Sequence, residues 1–365
     1  MPAGRDGDPL DEYRERRDFG RTPEPDGDGD TGAGPPGPGG DGPRFVIQQH
    51  SATRLHWDLR LEHDGVLLSW ALPRGVPWDP KENHLAVHTE DHPLEYLTFS
   101  GEIPEGSYGA GTMSIWDTGR YHPEKIADRE VIVTLDGSRA RGRYALFRTR
   151  GRDWMIHRMD PPADPGRRHM PGRFDLIEPG EGPPPGGDGW AVETLWRGQR
   201  AVLTSSGGSV ELTTAEGTTL GERFPEVRRA GRALGMTEVA LDGVLTAGDG
   251  DGSDRVRRRL AARSESTWRR HARDAPVVFV AFDLLWLDGH ATSPLAWSDR
   301  RRLLDELAFD GEAWSTPRAY VGDPTPLVEA AASSGVDRLV AKRTDAPYDP
   351  ALDPPPWHTF AVPGT

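Results

Sequence analysis

The sequence predicts a mainly β small barrel followed by an α+β domain, and three observations carry that prediction. Between Arg44 and Asp160, short segments of alternating apolar and polar residues follow one another at close spacing, with turn signals between them. Residues 161–188 then become rich in Pro, Gly and Asp, the composition of a linker. From Gly189 onward, helical and strand patterns mix, as in an α+β unit.

The barrel segments are Phe45–Gln49, Leu55–Glu62, Val66–Leu72, His84–His88, Thr112–Trp116, Val131–Leu135 and Tyr144–Arg148. His63-Asp64-Gly65 reads as a hairpin turn between the second and third. Many short strands at this spacing favour a small barrel or sandwich. In the second domain, residues 189–350, Glu222–Leu234 and Ser298–Leu307 read as helices, and Val277–Leu287 and Asp337–Lys342 as strands. Residues 351–365 read as a C-terminal tail. Residues 1–43 read as a disordered arm and linker. Within them, the acidic Gly/Pro stretch 26–43 cannot bury a core, whereas 13–25 (YRERRDFGRTPEP) is richer in Arg and aromatic rings.

Composition narrows the function classes. A chain of 365 residues is long for one core and fits two domains. There is no cysteine, so a disulfide or thiolate metal site is excluded and any metal must sit on His, Asp or Glu. No apolar run is long enough for a membrane span, and Met1 to Leu10 is too polar for a signal peptide, so a cytoplasmic location is expected. The net charge of −14 excludes a wholly basic nucleic-acid coat. The charge is uneven, however: residues 1–43 carry −6 and residues 44–160 only −2. Eight of the twelve histidines also fall in 44–160, which makes that segment the place to look for chemistry. Lysine occurs only at Lys81, Lys125 and Lys342, so each is conspicuous.

The central segment is QQHSATRLHWDLRLEHDG, residues 48–65. Alternate residues of a strand share a face. Leu55, Trp57, Leu59 and Leu61 then point into a core, and His56, Asp58, Arg60 and Glu62 point the other way. His56 and Asp58 can reach one metal ion, with His50 joining from the preceding strand or turn. Two imidazoles and a carboxylate suit Mn²⁺, Fe²⁺ or Zn²⁺, and Arg60 beside them can clamp a phosphate oxygen. The spacing equally suits a solvated face with incidental histidines, or the facial triad of non-haem iron oxygenases. Residues 101–111 (GEIPEGSYGAG) form a Gly-rich loop of the kind that lets backbone N–H groups approach an anion, although such loops are more often simple turns.

Taken together, RFVIQQHSATRLHWDLRLEHDGVLLSWALPRG, EDHPLEY and GEIPEGSYGAGTMSIWDTG resemble the 3′-phosphoesterase module of the bacterial ligase D family of end-joining enzymes. The resemblance runs from about Tyr13 to Asp160. It implies a β-barrel that removes a 3′-terminal ribonucleoside and then a 3′-phosphate from DNA ends, using a divalent metal, Mn²⁺ first with Zn²⁺ or Co²⁺ as alternatives. It assigns the metal to His50, His56 and Asp58, the scissile phosphate to Arg60 and His92, and further site roles to Glu90 and Tyr96. Arg17, Asp18 and Glu24 match the family's arm residues for the ribonuclease step. Arg74 stands where the family has a lysine, and His84 where it has an arginine. The implied partners are DNA 3′ ends, Ku, a repair polymerase and a functional ligase, with no membrane and a nucleoid-associated location.

Residues 189–350 resemble the nucleotidyltransferase-like adenylating domain of ATP-dependent DNA ligases, notably at FVAFDLLWLDG (279–289) and LVAKRTDAPYDP (339–350). The nucleophile motif E-x-K-x-D-G-x-R reads here Glu193-Thr194-Leu195-Trp196-Arg197-Gly198-Gln199-Arg200, so leucine replaces the lysine. Val244 replaces a metal-binding glutamate, and Lys342 is retained as a candidate nucleotide contact. Leucine has no amine to form a phosphoramidate, so ligase activity and ATP use are not expected. A scaffold that binds DNA ends without catalysis is the alternative from a different class.

Overall fold

The computed structural model describes residues 8–29, 42–184, 188–247, 252–322 and 325–363, in two units, Met1–Pro165 and Gly166–Thr365. The expected disordered stretch lies mostly outside the described residues, at 30–41.

The first unit is a closed barrel of eight strands with a ninth appended. Strands β1 (Arg44–Ser51), β2 (Leu55–His63), β3 (Val66–Leu72) and β4 (Asn83–His88) follow in order. After them come β5 (Gly101–Ile103), β6 (Gly111–Ala127), β7 (Glu130–Gly137), β8 (Arg141–Arg150) and β9 (Asp153–Arg158). The sheet order is β1-β2-β3-β4-β9-β8-β7-β6-β5, and pairing of β1 with β6 closes it. All seven expected barrel segments fall inside strands. The β2–β3 turn bends at Asp64 and Gly65, both at positive φ, as its hairpin sequence requires.

Closure buries one face of every strand. Phe45, Ile47, Trp57, Leu59 and Leu61 are fully buried on alternate positions of β1 and β2. Such burial contributes roughly 1.5–3 kcal/mol per large apolar side chain. The opposite face of β1 and β2 is also covered. Val46 packs there with Tyr13, Leu67, Tyr96 and Met113. Its lid is the 3-10 turn Leu94–Leu97 together with the N-terminal arm.

The arm corrects the reading of residues 1–43 as disordered. Residues 8–29 are structured and include helix α1 (Asp11–Glu15). Leu10 and Tyr13 supply the apolar anchors, at 7% and 0% exposure, and the Tyr13 hydroxyl donates to the Pro25 carbonyl at 2.5 Å. Two further boundaries shift. The segment expected to be a linker, 161–188, contributes Ile177 to a buried cluster with Val202 and Trp357. Its strand Gly180–Glu181 pairs with Trp357–Ala361. That last strand lies in the expected tail and pairs with Arg338–Arg343, so residues 357–361 belong to the domain.

The second unit is α+β. One sheet carries Gln199–Ser206, Ser209–Thr214, Val239–Thr246 and Val278–Leu287; another carries Trp190–Thr194, Arg338–Arg343 and Trp357–Ala361. Helix Trp297–Glu306 matches expectation, while the expected helix Glu222–Leu234 is broken into Pro225–Arg228 and Ala230–Leu234. Among the described residues, no helix is long and apolar enough to cross a membrane.

Candidate metal centre

β1 and β2 pair antiparallel with His50 opposite His56 and Gln48 opposite Asp58. This register brings the three expected ligands together: one ligand atom from each of His50, His56 and Asp58 lies within 4.8 Å of the others. His50 Nδ1 is 3.6 Å from Asp58 Oδ2, and His56 Nε2 is 3.5 Å from Asp58 Oδ1. These separations are long for a hydrogen bond.

The other ring nitrogens are tied to backbone carbonyls. His50 Nε2 donates to Gly109 at 2.8 Å, and His56 Nδ1 donates to Arg54 at 2.9 Å. Those bonds put the protons on the outer nitrogens and leave lone pairs on the inner ones, as a cation site requires. Gly109 belongs to the Gly-rich loop. Its carbonyl is a group that sequence reasoning missed, because a Gly-rich loop is read for its amides and not for an acceptor that orients a candidate ligand histidine. The donor set, two oriented imidazoles and one ionised carboxylate, fits a divalent transition ion.

Burial alone would raise the Asp58 carboxyl, but the Arg60 guanidinium above all overcomes it, and the group is held well below the ordinary carboxylate range. Arg60 is only 2% exposed. It donates to Asp58 Oδ2 at 3.0 Å, Gln48 Oε1 at 2.8 Å and Ser69 Oγ at 2.9 Å, and lies 4.8 Å from the Tyr96 ring centre. Each of its three nitrogens thus holds a protein partner, and Gln48 and Ser69 join the site unforeseen.

Beyond Arg60 stand His92, Tyr96, Arg17, Glu24 and Glu90. His92 bridges to Leu67 of β3 and donates from Nδ1 to the Glu90 carbonyl at 2.8 Å. Its Nε2 faces Arg17 Nη2 at 3.4 Å. Burial, then the charges of Arg60 and Arg17, push its pKa well below that of free imidazole, so the ring is neutral. Arg17 also binds Glu24 at 2.7 Å and Glu90 at 3.0 Å, and its guanidinium sits 3.9 Å from the Tyr13 ring centre. The Tyr96 hydroxyl donates to Glu24, and burial raises its pKa.

Three expected residues are placed differently. Asp18 is exposed, at a small cavity between the arm and the Gly-rich loop. Arg74 is exposed after β3, with its guanidinium 3.7 Å from Glu82. His84 is buried, donates to the Gly75 carbonyl at 2.8 Å, and is depressed by burial, so it supplies no positive charge in the arginine's place.

In the second unit Leu195 packs on the cluster of Ile177, Val202 and Trp357. Lys342 is 1% exposed and donates to Glu193 at 2.9 Å and to the Phe282 carbonyl at 2.8 Å. Burial raises the Glu193 carboxyl above its ordinary range. Asp242 accepts two bonds from Arg200, at 2.9 and 2.7 Å, and one from Tyr348 at 2.6 Å. Val244 is 4% exposed.

Residues 48–148 match the family model of the DNA ligase D 3′-phosphoesterase domain, and residues 185–357 that of the ATP dependent DNA ligase domain. The "multifunctional non-homologous end joining protein LigD" of Mycobacterium bovis is 39% identical over 359 residues, covering 96% of this chain and 45% of that protein. The Pseudomonas aeruginosa protein of the same name is 31% identical over 402 residues, covering 95% of this chain and 46% of its own length. The chain therefore spans about half the length of the curated relatives it matches. A solved mycobacterial DNA ligase D complexed with ATP and MES is 27% identical at a TM-score of 0.40, over 52% of this chain and 60% of that one.

Proposed function

Because the chain belongs to the ligase D family, with its 3′-phosphoesterase domain ahead of an ATP-dependent ligase domain, we propose that the barrel clears the 3′ ends of broken DNA. In this reading it removes terminal ribonucleosides and 3′-phosphates and leaves a hydroxyl for a repair polymerase and a functional ligase, with Ku as the end-binding partner.

The observation that carries the reading is the convergence of His50, His56 and Asp58, with both outer imidazole nitrogens anchored to backbone carbonyls. His50, His56 and Asp58 would hold a divalent ion, Mn²⁺ by preference, and such an ion would supply Lewis-acid polarisation of the phosphate and acidify the attacking water. The chain's own residues do the rest. Arg60 keeps Asp58 ionised and aimed, and so acts as a positioning residue, not as the phosphate clamp expected from sequence. Arg17 carries positive charge to the neutral His92, and Glu24, Glu90 and Tyr96 hold Arg17 in place. His92, neutral with Nδ1–H committed to Glu90, is set to accept a hydrogen bond at Nε2 and is no ready general acid. The test is release of nucleoside and phosphate from 3′-ribonucleotide and 3′-phosphate primer-templates across Mn²⁺, Co²⁺, Zn²⁺ and Mg²⁺. No release with any metal sinks the reading.

We further infer that the second unit forms no covalent adenylate. Leu195 occupies the nucleophile's position and belongs to an apolar cluster. Lys342, the nearest chemical substitute, is committed to Glu193 and the Phe282 carbonyl.

A further inference from the structure

Tyr108 sits on the Gly-rich loop one residue before the carbonyl that orients His50. Among the described residues of the first unit it is the one exposed aromatic, at 48% exposure. It is nevertheless held. Its hydroxyl accepts from Arg16 Nη1 at 2.7 Å, and the guanidinium carbons of Arg16 and Arg17 lie 5.1 and 5.5 Å from its ring centre. The loop is built by a turn from Pro104 to Ser107 and a second from Ser107 to Ala110, with Gly106 at φ 86° and Gly109 at φ 73°. The ring thus pairs high exposure with a fixed orientation. A cavity of about 130 Å³ opens beside it, lined by Arg16, Arg17, Asp18, Thr22, Gly106 and Tyr108. That is room for several water molecules.

We propose that Tyr108 is the stacking platform for the terminal nucleobase of the substrate strand, with the attached sugar entering the cavity toward Arg17 and Asp18. The inference rests on the end-processing reading above and extends it to the part of the substrate that the triad does not touch. A ring held by two arginines yet half exposed is suited to a flat π surface, and base stacking tolerates any sequence. An enzyme that trims broken ends of arbitrary sequence needs such a contact, because base-edge hydrogen bonds would discriminate among ends. The exposed Asp18 carboxylate at the same cavity accepts from a ribose hydroxyl, which a deoxyribose end lacks at its 2′ position.

The test uses the full chain without added metal, so that nothing is cleaved, and a primer-template ending in 2-aminopurine riboside. Stacking of the terminal base changes its fluorescence, and titration gives a Kd. Tyr108→Ala is expected to weaken binding about tenfold and to abolish the fluorescence change, while Tyr108→Phe restores both. With Mn²⁺ present, Tyr108→Ala should raise KM for the ribonucleoside end more than for a 3′-phosphate end. Unchanged binding in Tyr108→Ala overturns the proposal. Equal loss in Tyr108→Phe and Tyr108→Ala also overturns it, because the hydroxyl bond that secures the arm through Arg16 would then be what matters. Tyr108-dependent binding without any end release would contradict end processing and leave the platform standing. Release that is indifferent to Tyr108 would do the reverse.

Discussion

Arg17 donates to Glu90 across 73 residues of sequence at 3.0 Å, and the same guanidinium binds Glu24 at 2.7 Å. The arm is therefore part of the site's electrostatics. Both carboxylates are buried, with side-chain exposures of 1% for Glu24 and 2% for Glu90. Removing their shared cation strands the Glu24 charge and leaves Glu90 only its contact with the half-buried Arg16 at 2.9 Å. Arg17→Ala is expected to destabilise the first unit by about 3–5 kcal/mol, read as a lower thermal midpoint, and to impair ribonucleoside removal more than phosphate removal. Deletion of 1–25 should do the same. Equal loss of both activities would assign the arm a folding role alone.

Gly109 offers a test of ligand orientation. Its φ of 73° is strained for any residue with a Cβ, and its carbonyl holds His50. Gly109→Ala should shift that carbonyl and weaken Mn²⁺ binding about 10–100-fold while the barrel stays folded. Isothermal titration with Mn²⁺ reads the affinity, and circular dichroism reads the fold. Unaltered affinity would show that His50 needs no such anchor.

His84 and His92 make stability pH-dependent. Both are depressed below 6.5, first by burial. Unfolding releases the rings to water, where they take up protons near pH 6.5, so below that pH the unfolded chain binds more protons. Stability should fall as pH drops from 6.5 until the folded rings titrate too, by up to about 1.4 kcal/mol per pH unit per ring. Comparing thermal midpoints at pH 7.5 and 5.5, His92→Gln should lose part of the wild-type drop. An identical drop in the variant would contradict a neutral, buried His92.

In the second unit, Lys342 and Glu193 are both about 1% exposed. Lys342→Ala leaves Glu193 buried without its main cation and should destabilise that unit by about 3–5 kcal/mol. Incubation of the wild-type chain with radiolabelled ATP and Mg²⁺ or Mn²⁺, followed by denaturing electrophoresis, should show no labelled band. A band that Lys342→Ala removes would reverse the inference.

Strand alternation made the candidate metal ligands legible. His56 and Asp58 share a face by period alone, and the short β1–β2 connection carries His50 to them. The covering of that face was not legible. Tyr13 and Tyr96 pack with Val46 from 33 and 50 positions away along the chain, Tyr13 through an arm whose composition reads as loose. Gln48 and Ser69 looked ordinary because their role depends on register with Arg60. Strand β6 was read too short, since Asp117-Thr118-Gly119 has the composition of a turn and only its pairing with β1 shows that the strand runs on. Val239–Thr246 escaped because it is buried on both faces and so shows no alternation.

The most direct test of end processing is phosphate release from a 3′-phosphorylated primer-template by the His56→Ala and Asp58→Ala variants at saturating Mn²⁺, beside the wild-type chain. The convergent ligands predict robust Mn²⁺-dependent release by the wild type and, in folded variants, a loss of at least about a hundredfold, the upper range for disturbing a metal site's supporting partners. Near-wild-type release by either variant would contradict the metal centre.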